Sequence, residues 1–378
     1  MHSAQPPTTW SARLLGTLLD FKRVNRRMHN KSITVDGLVT IVGGRNIGDE
    51  YFGAADGMNF ADFDAMARGP VVREVVDAFD LYWNSRASVT ISQVSREMVP
   101  AEEIQRGLQE LLAHQELMEQ TPYAQAMRAS TLATTPWKAI PLLNGRAVVV
   151  TDHPEKISSR PDDATMHLAP QLGGIVERTE KELLLVSPYF VPGEAGVDWI
   201  AGLRQRGVAI KVITNSLAST DVAAVHAGYA RYRKPLLKAG VELHEMKAAL
   251  PDPERKDQPA ASPFSMTGSS KAGLHAKTFI FDRHWLFIGS MNLDPRSLKL
   301  NTELGMIIES PELARQMIHR AEAHLPELAY GVELTSAGLQ WTTQEHGQMV
   351  SLNSEPGGGF WKRLMWRVSS LLPIEGQL

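Results

Sequence analysis

Leu274-His275-Ala276-Lys277-Thr278-Phe279-Ile280-Phe281-Asp282, followed by Gly289-Ser290-Met291-Asn292, is spelled a second time in this chain. The other copy runs His29-Asn30-Lys31-Ser32-Ile33-Thr34-Val35-Asp36 and then Gly43-Gly44-Arg45-Asn46. Counted from each histidine, the lysine, aspartate, first glycine and asparagine fall at the same offsets. Ordinary residue frequencies give roughly 10⁻⁴ chance matches to one such string in a chain of this size, and far fewer to two. A doubled pattern of this kind predicts one site assembled from two related halves. Each half brings a His, a Lys and an Asn.

The surrounding sequence places both copies on β-hairpins. TFIFD and WLFIGSMN are β-rich apolar runs around a polar turn, and HNKSITVD and LVTIVGGRN flank Asp36-Gly37, a strong hairpin signal. The repeat continues beyond the asparagines. GPVVREVVDAFDLYWNS from Gly69 and SPELARQMIHRAEAHL from Ser310 both read as helices with Pro near the first turn. Setting Pro70 against Pro311 places Asp62 opposite Glu303. Copy two has a long approach: LVSPYFVPG (strand), VDWIAGLRQRG (helix), VAIKVITNS (strand), AVHAGYARYRKPLLKAG (helix) and VELHEM (strand). That alternation predicts a layered α/β lobe with a largely parallel core. Copy one has only 28 residues before its His, so the chain is expected to begin inside its first lobe. The expected organisation is a partial first lobe with a helical extension over 1–129, a connector over 130–165 with a strand at AVVVTD, a second lobe over 166–350, and a tail over 351–378.

Composition narrows the chemistry. With 43% hydrophobic and 21% charged residues the chain is globular rather than disordered. A net charge of -3 supplies no global basic field for nucleic acid. The absence of cysteine excludes disulfides, a thiolate nucleophile and cysteine-ligated metal centres. No apolar run reaches the ~18 residues of a membrane-spanning helix, and MHSAQPPTTWSARLLG does not read as a signal peptide.

Imidazole is then the obvious nucleophile, because its pKa of about 6.5 leaves it largely neutral near pH 7. One His can take a phosphoryl group while the other protonates the departing oxygen and later deprotonates the incoming alcohol or water. Lys31, Lys277, Asn46 and Asn292 suit the charge and oxygens of a tetrahedral phosphoryl centre, with no need for a divalent cation. Asp62 and Glu303 are the candidates for carboxylates that fix the histidine tautomers. Asp36 and Asp282, at the hairpin turns, fit a structural cap as well as a catalytic role.

The string HxKxxxxD…GxxN, occurring twice, resembles the phospholipase D superfamily. NLDPRSLKLNTELG, FKRVNRRMHNKSITVDG, GGRNIGDEYFG, GPVVREVVDAFDLYWNS and LVSPYFVPG are similar to its bacterial cardiolipin synthase branch. The resemblance covers roughly Phe21 to the C-terminus. It implies two α-β-α sandwich lobes about a pseudo-twofold axis, a phosphohistidine intermediate and no metal or other cofactor. By matched position it assigns His29, Lys31 and Asn46 to act with His275, Lys277, Ser290 and Asn292. In many relatives the first-motif His is the nucleophile, which would make His29 the nucleophile and His275 the acid/base; the sequence itself does not order the two. Asp62 and Glu303 match positions that orient the histidines in relatives. Gly44 departs from the common Ser, which Ser290 retains, so the two halves are chemically unequal. The short N-terminus also departs from the family and predicts exposed sheet edge and apolar surface.

The implied substrates are phospholipids: phosphatidylglycerol or a related donor, and the alcohol of a second phospholipid as acceptor, with hydrolysis as a side reaction. The implied location is peripheral, on the cytoplasmic side of the inner membrane, with no nucleic acid partner. FWKRLMWRVSSLL, Phe360 to Leu372, sets Trp361, Leu364, Met365, Val368, Leu371 and Leu372 on one helical face and Lys362, Arg363 and Arg367 elsewhere. That pattern suits an interfacial helix and equally a helix packed on its own lobe. Lys22, Arg23, Arg26 and Arg27, and Arg231 with Arg233, are candidate headgroup contacts, though such runs are more often solvated surface. Two rival readings are a phosphodiesterase acting on nucleic acid and a catalytically weak, truncated lipid-binding remnant.

Overall fold

A computed structural model describes residues 26–55, 58–94, 99–136, 139–248 and 271–357. The tail from residue 358 on, Lys22 and Arg23, and most of the Pro-rich stretch before His275 lie outside the described residues. In chain order the strands are β1 Ser32–Val35, β2 Val39–Gly43, β3 Met58–Ala61, β4 Asp64–Arg68, β5 Arg146–Thr151, β6 Glu182–Val186, β7 Ala209–Asn215 and β8 Glu242–Met246. They continue as β9 Lys271–Leu274, β10 Thr278–Phe281, β11 Trp285–Gly289, β12 Leu304–Glu309, β13 Ala329–Thr335, β14 Gly338–Glu345 and β15 Gln348–Leu352.

The repeat is visible as structure. β1, β2 and β4 form a three-stranded antiparallel sheet followed by the helix Val71–Trp83. β10, β11 and β12 repeat it and are followed by the helix Pro311–Leu328. The second set sits inside a ten-stranded sheet ordered β15-β14-β13-β8-β7-β6-β10-β11-β12-β5. Only β6-β7-β8 are parallel in it, as the strand–helix alternation requires; the hairpins on both sides make the sheet mixed rather than largely parallel. AVVVTD contributes β5, which closes the β12 edge.

Both hairpins turn through two residues of positive φ, which matches the right-handed twist of the strands. Asp36 and Gly37 lie at φ 53 and 64, Asp282 and Arg283 at φ 50 and 53. The Asp282 carboxylate accepts the backbone N–H groups of Glu180, Lys181 and Glu182 at 2.8–2.9 Å, tying the turn to the start of β6.

Helices cover both faces of the large sheet. On one, Leu183, Leu185, Ile210, Val212, Phe279 and Phe287 pack under the helices Gly193–Gln205 and Arg233–Lys238. On the other, Leu184, Ile213, Ile280 and Leu286 meet Ala314, Ile318 and Leu325 of the helix Pro311–Leu328. A third core joins the halves: Val42, Val71, Val75 and Ala78 of the first pack on Leu304 and Met306 of the second. Among the described residues the first sheet ends at β1, whose Ile33 and Val35 are more than half exposed, whereas its counterpart β10 pairs with β6.

Arg233 is an internal residue rather than a headgroup contact. It is buried, pairs with Glu245 at 2.7 Å and with Glu355, and pins the segment after β15. Arg26 is likewise committed, donating to the carbonyls of Lys156 and Ser159 at 2.9 and 2.8 Å. Among the described residues no helix is long and apolar enough to cross a membrane.

Candidate active site

The two halves exchange backbone at the site. Met28 bridges Thr302, and the His29 N–H donates to the Thr302 carbonyl at 2.9 Å. In the other half β3 runs parallel to β9, and the His275 N–H donates to the Ala61 carbonyl at 2.7 Å. Each histidine is thus docked on the residue just before the opposite half's carboxylate. The side chains follow. His29 Nδ1 lies 2.8 Å from Glu303 Oε2, and His275 Nδ1 lies 2.6 Å from Asp62 Oδ2. Each carboxylate is placed to accept the Nδ1–H of its ring, which leaves Nε2 with the lone pair a phosphoryl acceptor needs; Lys277 Nζ also lies 2.9 Å from His275 Nδ1.

The site brings together His29, Lys31, Asn46, Asp62, His275, Lys277, Ser290, Asn292 and Glu303. Lys31 and Lys277 each donate back to the carbonyl of their own histidine. Burial pushes Lys31 down to about 8, against the pull of Glu303 and Asp62. Burial pushes Lys277 down to about 7, with Asp62 opposing and Lys31 adding to the shift. Burial also pushes His275 down to about 4, helped by Lys277 and resisted by Asp62. Ser290 Oγ donates to Glu303 Oε2 at 2.5 Å. The other Glu303 oxygen and Asn292 Oδ1 are buried without a protein partner, so the site holds polar capacity that a ligand can satisfy. Asp36 and Asp282 are left out. They sit at the far ends of their strands, roughly 15 Å from the lysines at 3.3 Å per residue, where Asp282 acts as a turn clasp.

The inequality of the halves has a steric reason. A Cβ on Gly44 would lie 2.7 Å from Asp62 Oδ1 and 3.0 Å from the Lys277 side chain. Asp62 is one methylene shorter than Glu303, so its carboxylate reaches the opposite histidine only by drawing in against residue 44. The longer Glu303 leaves room for the Ser290 hydroxyl. Gly44→Ser is therefore expected to push Asp62 off His275 and lower turnover about 10- to 100-fold, the equivalent of ~1–3 kcal/mol of overpacking. Steady-state kinetics with a matched thermal melt checks that the loss is catalytic.

Several site residues carry no signal in the repeat. Arg45 pairs with Asp64 at 2.6 Å and donates to the carbonyls of Tyr51 and Asp62, fixing the loop that bears Asp62. The Tyr51 ring stands edge-on to His275 at 5.0 Å and its hydroxyl bonds to Asn46. Tyr189, in the SPYF loop after β6, donates to Asp221 at 2.8 Å, and Asp221 adds negative charge near Lys277 and Tyr51. Asp152 and Lys156 form a buried pair at 3.0 Å; the other Asp152 oxygen accepts the Glu303 N–H at 2.7 Å. A strand followed by a Pro-containing loop could have flagged Tyr189. Asp152 and Asp221 have no local pattern at all.

Comparison with known proteins agrees with this geometry. Residues 175–325 match the family described as "Cardiolipin synthase, PLD-like domain". The chain is 42% identical over 373 residues to cardiolipin synthase C of Escherichia coli, covering 96% of this chain and 76% of that protein. It is 24% identical over 285 residues to cardiolipin synthase B of Shigella flexneri, covering 75% and 52% respectively. Among solved structures, a phosphatidylserine synthase of Haemophilus influenzae superposes with a TM-score of 0.55 at 12% identity, over 93% of this chain and 71% of that one, which is a likeness of fold. With two HxKxxxxD halves exchanging carboxylates across one site, and with this identity over nearly its whole length, the chain belongs to the cardiolipin synthase branch of the phospholipase D superfamily.

Proposed function

We propose that the protein is a phosphatidyltransferase that moves a phosphatidyl group through a phosphohistidine to the alcohol of a second phospholipid, with water as a slower acceptor. The observation that carries this is the crossed pair of His–carboxylate contacts, His29–Glu303 and His275–Asp62, with two lysines beside them. His29 attacks: its Nε2 lone pair forms the P–N bond as the P–O bond to the first alcohol breaks, and His275 gives that oxygen its proton. The incoming hydroxyl then loses its proton to His275 and displaces His29 from phosphorus. His29 is the more accessible ring, 25% exposed against 7% for His275, and it matches the nucleophile position of relatives. Burial keeps the His275 imidazole neutral near pH 7. An anionic phosphodiester between the rings favours its imidazolium, offsetting burial and Lys277, so the acid form arises with substrate binding.

The lipid reading draws on the family and on the amphipathic sequence of the tail. We place the protein peripherally, at the cytoplasmic face of the inner membrane, with phosphatidylglycerol as donor. The test is a detergent quench at mildly alkaline pH of the full chain with phosphorus-labelled phosphatidylglycerol. An acid-labile, base-stable label on His29, absent from His29→Ala, and transfer of label into cardiolipin are expected. No labelled histidine and no transfer would sink the proposal.

A pH dependence follows from the lysines. Anion binding favours their charged forms, so it takes up protons where the free groups are neutral. Lys277 at about 7 and Lys31 at about 8 place that window between pH 8.5 and 6.5. Vanadate affinity is expected to rise as pH falls through this range, by up to about tenfold per pH unit per proton taken up, and to rise less steeply below it, where His275 is the remaining group that gains a proton on anion binding. Calorimetry in buffers of different ionisation enthalpy reads the proton uptake directly.

A further inference from the structure

A groove of about 670 Å³ runs between the large sheet and the helix Pro311–Leu328, a size typical of small-molecule sites. It is not the phosphoryl site. Its wall along β10 is made by Thr278 and Ile280 and by Ala276 just before the strand, which alternate with His275 and Lys277 and so face the other side of the chain. Leu184, Val186 and Ile213 of the parallel strands complete an apolar floor. The helix contributes one stripe at helical spacing: Met317, Arg320, Ala321, His324, Leu325 and Leu328.

Three observations say what the groove takes. Its walls are predominantly apolar, so the body of the ligand is hydrocarbon. Arg320 and His324, one helical turn apart and exposed at the rim, have no ion-pair or hydrogen-bond partner among the described residues, so the head of the ligand is anionic. Inside, the Thr278 hydroxyl is buried and lacks a partner. An orphaned buried hydroxyl keeps its full desolvation cost, and pure hydrocarbon does not relieve it. An oxygen of an acyl ester does.

We propose that this groove is a second lipid site, distinct from the catalytic one, which holds one acyl chain of an anionic phospholipid with its phosphate against Arg320 and His324. Its end is formed by Ala61, Asp62 and Phe63. The occupant therefore touches the backbone segment that carries the carboxylate orienting His275, which couples lipid occupancy to the geometry of the reacting pair. The site stands whether or not the phosphatidyl-transfer reading does, since its headgroup contacts and apolar walls are separate from the histidines and lysines assigned to that chemistry.

The test uses the full chain and fluorescent lysophosphatidylglycerol below its micelle concentration, followed by anisotropy. The lysophosphatidylcholine analogue and glycerol phosphate serve as comparison ligands. With vanadate holding the catalytic site, saturable one-to-one binding is expected. Arg320→Glu should weaken the anionic probe about tenfold, the loss of one charge-assisted contact, and the zwitterionic probe far less. Ala321→Trp, which fills the groove, should abolish binding of both. Glycerol phosphate alone should not compete. Arg320 is exposed, so its replacement remains decisive even if Ala321→Trp unfolds. Unchanged binding in Arg320→Glu, or no saturable binding to the parent chain, overturns the proposal. In either case hydrolysis of a short soluble phosphodiester still reports on the histidine chemistry separately.

Discussion

Replacing either His29 or His275 by alanine is expected to lower phosphatidyl transfer by about 10⁴-fold or more, and replacing both is expected to cost little beyond that. Nucleophile and general acid act in one transition state, so removing either leaves the other without a partner and the losses do not add. The structure makes the two single variants distinguishable. Glu303 and Asp62 hold the two rings from opposite halves, so each alanine takes the imidazole from a different carboxylate. His275→Ala should still accept label on His29 from a substrate with a good leaving group, because that step needs no proton donor. His29→Ala should accept none. Burst kinetics with a nitrophenyl phosphodiester separates the cases, and a burst in His29→Ala with none in His275→Ala would reverse the assignment of nucleophile.

The second large effect is expected at a residue that touches no substrate. Asp152 and Lys156 are both about 1% exposed at their side chains. Burial pushes Asp152 up to about 6 and pushes Lys156 down, so desolvation outweighs mutual attraction for both partners. Such a pair adds little net stability, yet breaking it strands a charge in the interior. Asp152→Ala is therefore expected to cost about 3–5 kcal/mol, read as a lower denaturant midpoint. It also frees the N–H groups of Glu303 and Leu168, which Asp152 accepts at 2.7 and 2.6 Å. Asp152→Asn keeps an acceptor but not the charge, and should recover part of the stability. If Asp152→Ala melts like the parent chain, the pair does not act as a clamp.

The positions of the repeat were legible because both halves obey the same local rules. Ser32–Val35 and Thr278–Phe281 form as strands directly after the lysines, and the following helices open at the prolines. Aligning those prolines was enough to find Asp62 and Glu303. The mixed character of the sheet was less legible. β13, β14 and β15 add antiparallel strands on one side of the parallel trio, after a helix whose own period gave no sign of them. Arg233 misled for a related reason: charge in sequence carries no depth, and its partners Glu245 and Glu355 are 12 and 122 residues away.

The linear pattern of residues thus names the candidate groups, since identity and spacing alone place a His, a Lys and an Asn on each hairpin. Who orients whom is a matter of how the halves meet. Two parallel backbone pairings, at Met28–Thr302 and at Ala61–Leu274, slide each histidine beside the other half's carboxylate. No spacing rule within either copy encodes that exchange, because it is made by contacts between residues more than two hundred positions apart. The same close approach explains Gly44, a departure in sequence that becomes a steric requirement once Asp62 is seen lying against it.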